Sequence, residues 1–402
     1  MNRYHAEWVL PIAQRPMHHG WVEIDGGKIV ALGAGRARVP QSIDLGSVAV
    51  LPGLVNAHTH LELSHLHDRV PPATDFVQWI RGVIESRRTR PDPRSEEIMG
   101  AIHAGIAQSV SCGTALVGDI SNTLATYGPL STSVLAGVFF YELIRFNAPE
   151  PDAVVADACR QLDALPQAPH VRASLAAHAP YSVAPAVFRS IHEAVARSGR
   201  GPVSVHLAES AAESEFIARG TGPWRQFLED VGAWASSWTP SGTTSVEYLD
   251  ALHVLDARSL VVHGVQMTTS DLAILEARGS TLVTCPRSNR HTGAGTPPIA
   301  AFYASGVRVA VGTDSLASTG DLSVFSELAA MRAIAPSVTA ASLLESATRH
   351  GADALGFGAD YGTIEPGKRG RLIAVSVPPD VDDVEQYLVG GITPEQIHWI
   401  DA

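Results

Sequence analysis

Cysteine is scarce in this chain. Cys112, Cys159 and Cys285 are the only three in 402 residues and lie far apart, which excludes a disulfide framework and any cysteine-rich zinc module. A bound metal would have to be held by histidine and carboxylate. Long apolar runs are missing too: no stretch reaches the ~18 to 20 residues that span a bilayer, and the start, MNRYHAEWVLPIAQ, has no basic segment leading into a long apolar one. The expectation is a cytoplasmic protein with no membrane partner. Runs of like charge are also absent, the net charge of −12 being spread along the sequence, so a nucleic-acid backbone is not an expected partner. A small soluble substrate is expected, and a homodimer stays open.

With 45% hydrophobic and 17% charged residues, a chain of this length buries a sizeable core, and one large α/β barrel plus a minor domain fits it. The first fifty residues alternate short β-prone pieces with glycine turns, as in WVEIDGGKIVALGAG, where Gly26 and Gly27 predict a hairpin; the stretch around TIEPGKRGRLIAVSV is similar. Between them, apolar runs alternate with amphipathic segments such as TDFVQWIRGVIESRR and TAASLLESATRH. Eight candidate strands stand out: VAVLPGLVNA, TALVGDI, VLAGVFFYE, VRASLAAHA, VSVHLA, LVVHGV, TLVTCP and VRVAVGTD. The predicted fold is a (β/α)8 TIM barrel over residues 51–355, with a small composite β-sandwich built from 1–50 and 356–402.

Active sites of such barrels lie at the C-terminal strand ends. The first strand ends in His58 and His60, two apart and so on one face of a strand. Among 17 histidines a chance pair is common. The other strand ends decide the matter: His178 follows strand four, His206 and Glu209 strand five, His263 strand six and Asp314 strand eight. Core histidines would not register with strand ends in this way. Imidazoles plus a carboxylate suit one divalent ion, zinc first with iron or manganese as alternatives, and an open position on zinc would hold water with a pKa near ~7.

At these residues the chain resembles the amidohydrolase superfamily, in its branch of heterocycle deaminases and chlorohydrolases. The matching motifs are PGLVNAHTHLE, HAPYS (178–182), HLAES (206–210), VHGV (262–265), CPRSN (285–289) and GTDS (312–315). The resemblance spans the whole chain and implies that His58, His60, His206 and Asp314 bind the metal, while Glu209 and His263 act on substrate and water. Superfamily members with two metals usually bridge them with a carboxylated lysine on strand four. This chain has only Lys28 and Lys368, both in the predicted terminal domain, which points to one metal and to deamination. The chemistry implied is attack of metal-bound hydroxide on an amino-bearing ring carbon, with Asp314 and His263 steering the water's proton and Glu209 protonating the ring nitrogen and departing ammonia. The bland reading of Glu209 is a first-turn carboxylate of the next helix, with Glu213 and Glu215 as similar surface acids.

Within the branch, HTHLELS, DFVQWIRGVI and CPRSNRHTG are most similar to aminodeoxyfutalosine deaminases of menaquinone synthesis. A carboxylated nucleoside would want an arginine fork. Arg287 and Arg290 after strand seven and Arg145 after strand three are the candidates, with solvated loop charge as the alternative. Glu62, His178, Ser288 and Asn289 complete the expected substrate contacts. Trp79 either walls the pocket or, at helical spacing with Phe76 and Val83, belongs to the core. Alternatives within the fold are an adenosine, S-adenosylhomocysteine, methylthioadenosine or guanine deaminase, or a triazine chlorohydrolase; a metal-free scaffold is the non-enzyme rival. Three near-motifs carry nothing: HAE at 5–7 has no PCxxC, HEAVA at 192–196 lacks its second histidine, and GTIEPGKR at 362–369 has Arg369 where a phosphate loop needs Ser or Thr.

Overall fold

A computed structural model describes residues 1–35 and 42–400. The expected terminal spans 1–50 and 356–402 therefore include positions (36–41 and 401–402) that lie outside the described residues. The N-terminal strands are β1 (Asn2–Val9), β2 (Met17–Asp25), β3 (Lys28–Ala34), β4 (Ser42–Asp44) and β5 (Val48–Pro52). Gly26 and Gly27 join β2 to β3, both with positive φ, as a two-residue hairpin requires.

The segment VAVLPGLVNA, expected as one barrel strand, is two. Its first half is β5, and after Gly53 the chain continues as β6 (Leu54–Thr59) in a different sheet. A Cβ on Gly53 would meet the Ala115 Cβ at 2.6 Å, so only glycine fits where the two sheets cross.

From β6 the barrel proceeds through β7 (Thr114–Ser121), β8 (Ala136–Leu143), β9 (Val171–Ala177), β10 (Val203–Leu207), β11 (Ser259–His263), β12 (Thr281–Thr284) and β13 (Arg308–Val311). Each pairs in parallel with the next. Alternate side chains enter two separate apolar clusters, Val261 and Val309 in one, Val262 and Ala310 in the other. That is why these strands read as unbroken apolar runs. The last strands, β14 (Leu372–Ser376) and β15 (Ile397–Trp399), join β5, so both termini build one seven-stranded mixed sheet.

The barrel seam closes where the first and last strands meet. Asp314 N donates to His58 O at 3.1 Å, and Thr313 and Asn56 exchange hydrogen bonds of 2.8 and 3.1 Å. A Cβ on Gly312 would lie 2.7 Å from that of His58, so this glycine lets the seam shut. The functional histidine of the first strand is thereby fixed against the loop that carries Asp314.

The expected amphipathic segment TDFVQWIRGVIESRR forms the helix Phe76–Arg88, capped by Asp75, whose side chain accepts from Gln78 N. TAASLLESATRH is broken into two short helices, Ala340–Ser346 and Arg349–Ala354. Among the described residues no helix is long and apolar enough to cross a membrane.

Candidate metal centre and active site

His58, His60 and His206 present ring nitrogens that all lie within 4.8 Å of one another. His206 Nε2 is 3.4 Å from His60 Nε2, and Asp314 Oδ1 lies 3.5 Å from His60 Nε2 and 3.9 Å from His58 Nε2. Donors bonded at about 2.0–2.1 Å to one tetrahedral ion sit about 3.3 Å apart, so the three histidines are spaced for a shared cation, with Asp314 Oδ1 beside two of them. His58 supports this independently: it is fully buried and neither ring nitrogen has a hydrogen-bond partner. An orphaned buried imidazole is costly unless something absent from the polypeptide satisfies it.

The protonation pattern agrees. Burial holds the imidazoles neutral, bringing His60 and His206 down to about 4; burial and neighbouring imidazoles put His58 well below its ordinary range. Neutral rings keep the lone pairs a metal needs. For His206 the tautomer is fixed: its Nδ1 faces the His178 carbonyl at 2.8 Å, an oxygen that only accepts, so Nδ1 carries the hydrogen and Nε2 is bare toward His60.

Around this cluster is a cavity lined by Glu209, His263, His178 and Asp314. Glu209 Oε1 lies 3.4 Å from His263 Nε2, and both side chains are buried. Burial first, then the nearby Asp314 and Glu213 carboxylates, raise the Glu209 carboxyl well above the usual range. Ala208, His263 and Asp314 adopt positive φ, an unusual conformation for residues with a side chain, and all three sit at the C-terminal ends of their strands. Backbone strain held in place at such positions is characteristic of functional sites.

Several sequence expectations are corrected here. Ser288 and Asn289 do not line the cavity; they stand behind it, Ser288 Oγ donating to Asp314 Oδ2 at 2.5 Å and the Asn289 amide lying 2.9 Å from His263 Nδ1. Glu62 is also set back, its carboxylate gripped by Arg87 at 2.6 Å and by Ser121 and Thr123. Arg287, half-buried, is paired with Glu327 at 2.6 Å and Asp321 at 2.8 Å, so its fork is spent within the protein. Arg290 is exposed outside the cavity. Glu213 is no surface acid: fully buried, it accepts from Ala208 N and Glu209 N at 2.7 and 3.0 Å and so holds the turn that aims Glu209.

His178 does face the cavity, and Arg145 stands on an adjoining one that shares Tyr181, Trp224 and Phe227 with it. Trp79 fills both expected roles, buried and lining the pocket.

Lining residues were missed, among them a polar group on one wall. Arg87, Asn122 and Glu142 form a chain in which Arg87 donates to Asn122 Oδ1 at 2.8 Å and Asn122 donates to Glu142 Oε2 at 2.6 Å. Glu142 Oε1 is 3.4 Å from His206 Nδ1, and burial pushes this carboxyl up to about 8. The strand-end rule could have found Asn122 and Glu142, since they stand at the ends of β7 and β8. Arg87 sits on a helix and gave no such signal.

A sequence profile described as the Amidohydrolase family matches residues 49–393. An aminodeoxyfutalosine deaminase of Deinococcus radiodurans is 32% identical over 363 residues, covering 86% of this chain and 82% of that one. The crystal structure of Helicobacter pylori aminofutalosine deaminase in complex with methylthio-coformycin superposes with a TM-score of 0.84 at 26% identity, over 97% of this chain and 95% of that one. An adenosine deaminase from Xanthomonas campestris with bound zinc gives 0.82 at 26% identity, over 98% and 90%. With the profile covering the barrel and part of the terminal sheet, this chain belongs to the amidohydrolase family.

Proposed function

We propose that this protein is a metal-dependent hydrolytic deaminase of a purine nucleoside, with 6-amino-6-deoxyfutalosine as the first candidate substrate and menaquinone synthesis in the cytoplasm as its setting. The observation that carries the reading is Glu209, a buried carboxyl 3.4 Å from His263 Nε2 in the same cavity as the histidine cluster, which burial raises well above the usual carboxylate range. A divalent ion, which we take to be one zinc, held by His58, His60, His206 and Asp314 would supply Lewis acidity, making water a competent nucleophile near neutral pH.

The protein's own groups divide the proton work. Glu209 donates a proton to the ring nitrogen beside the amino-bearing carbon, which makes that carbon electron-poor. His263 and Asp314 accept the proton of the water that adds to it. The proton taken up by His263 and Asp314 then passes to the amine, the carbon–nitrogen bond breaks to release ammonia, and the added hydroxyl becomes the ring carbonyl by returning its proton to Glu209.

Phe76, Trp79, Trp224 and Phe227 give the cavity an apolar aromatic wall suited to a flat ring, while Arg87, Asn122, Glu142 and His178 make a polar one. Arg145 donates to its own neighbour's Ile144 carbonyl and stands on the adjoining cavity, where a substrate carboxylate would meet it. The similarity to the Deinococcus enzyme supports the same substrate. A second reading, deamination of adenosine itself, is favoured by the likeness to the Xanthomonas enzyme.

The test is ammonia release by zinc-loaded protein from aminodeoxyfutalosine, adenosine, S-adenosylhomocysteine, methylthioadenosine, guanine and a chlorotriazine. Preference for the first supports the proposal. Preference for another amine keeps the chemistry and moves the substrate, while silence from all of them in metal-replete protein refutes the deaminase reading.

A further inference from the structure

Away from the barrel mouth, the terminal sheet carries a second cluster of metal-binding side chains. His18 and His19 are consecutive on β2, and in a regular strand consecutive side chains point to opposite faces. They do not here. His19 has a φ of 51°, in the left-handed region, and its ring stacks on that of His18 with centroids 3.8 Å apart.

Both rings then meet one carboxylate. On the neighbouring strand β1, Glu7 Oε1 lies 2.6 Å from His18 Nε2 and Glu7 Oε2 lies 3.4 Å from His19 Nδ1. One ligand atom from each of the three residues falls within 4.8 Å of the others. Two donors on a shared tetrahedral ion lie about 3.3 Å apart, and the observed separations bracket that value. The cluster also opens on a polar cavity that Glu7 and His19 line together with His5 and Asp44.

We propose that Glu7, His18 and His19 form a second site for a divalent transition metal on the terminal sheet, separate from the barrel cluster. Two imidazoles and a carboxylate are a borderline donor set, suited to zinc, nickel or copper rather than to magnesium or calcium. His18 is half-exposed, so an ion can enter from solvent and keep water in its remaining positions. The site has a practical consequence: a metal analysis returning two equivalents would not imply a binuclear catalytic centre.

The test is a zinc titration of protein already holding its barrel equivalent, read by equilibrium dialysis with elemental analysis, for the unmodified protein and for His18→Ala and Glu7→Gln. The expected result is one further, weaker equivalent that both substitutions abolish, with ammonia release unchanged. His206→Ala should show the converse, keeping the outer equivalent. Zinc uptake by His18→Ala and Glu7→Gln equal to that of the unmodified protein would overturn the proposal. A readout free of substitution is nickel-induced broadening of imidazole NMR signals: broadening of His18 and His19 supports the site, and sharp signals for both at millimolar nickel refute it.

Discussion

Replacing Arg287 with methionine separates a substrate-binding arginine from a structural one. Its side chain is 15% exposed and faces a Glu327 side chain that is 0% exposed. It also donates to the Asp321 and Ser323 carbonyls. Burial pushes Glu327 up to about 7 even against the pull of Arg287. An acid whose folded pKa lies above its unfolded value of about 4.3 costs stability as pH rises between the two values and nothing further above the folded one. The unmodified protein is therefore flat in this contribution above pH 7. Without Arg287 the folded pKa moves higher, and the loss continues at about 1.4 kcal/mol per pH unit. At pH 6 the carboxyl is largely protonated in both proteins, leaving mainly the lost hydrogen bonds, about 1 kcal/mol each. Arg287→Met should thus be about 1–2 kcal/mol more destabilising at pH 8 than at pH 6, with a total of about 3–5 kcal/mol at pH 8. Urea denaturation at the two pH values measures this, with KM for the best substrate determined in parallel. A raised KM with unchanged stability, or a stability loss independent of pH, would refute the reasoning.

Glu209→Gln should lower kcat by about 10²- to 10⁴-fold while elemental analysis finds the metal still bound, because Glu209 is an acid and not a donor to the cluster. Asp314→Asn should lose both activity and metal, and retention of full metal occupancy would remove Asp314 from the ligand set. Ser288→Ala, which strips Asp314 of its 2.5 Å hydrogen bond, should cost about 10- to 100-fold in metal affinity or activity, readable by a competitive chelator titration. Arg145→Ala removes an exposed charge worth about 0.2–1 kcal/mol to a carboxylate. It should raise KM for aminodeoxyfutalosine by about two- to five-fold and leave adenosine kinetics untouched; equal effects on both would argue against Arg145 as the carboxylate partner.

The sequence by itself determined the barrel, the strand ends on which His58, His60, His178, His206, Glu209, His263 and Asp314 stand, and the absence of a lysine that could bridge two metals. These are local properties: an apolar run of strand length and its last residues are neighbours in the chain, so the ends of parallel strands can be read off one after another. The break at Gly53 escaped because two short β-strands in tandem have the same composition as one long one. Only the tertiary structure decided that Arg287 is consumed by Glu327, 40 positions away, that Glu213 is buried under the turn bearing Glu209, and that Ser288 and Asn289 brace Asp314 and His263 from behind. It also joined Arg87, Asn122 and Glu142 into one wall. A charged or polar side chain carries no mark in the sequence of the partner it will meet, since that partner is brought to it by the closing of the barrel, and it is the partner that determines whether the group faces substrate or is neutralised inside the protein.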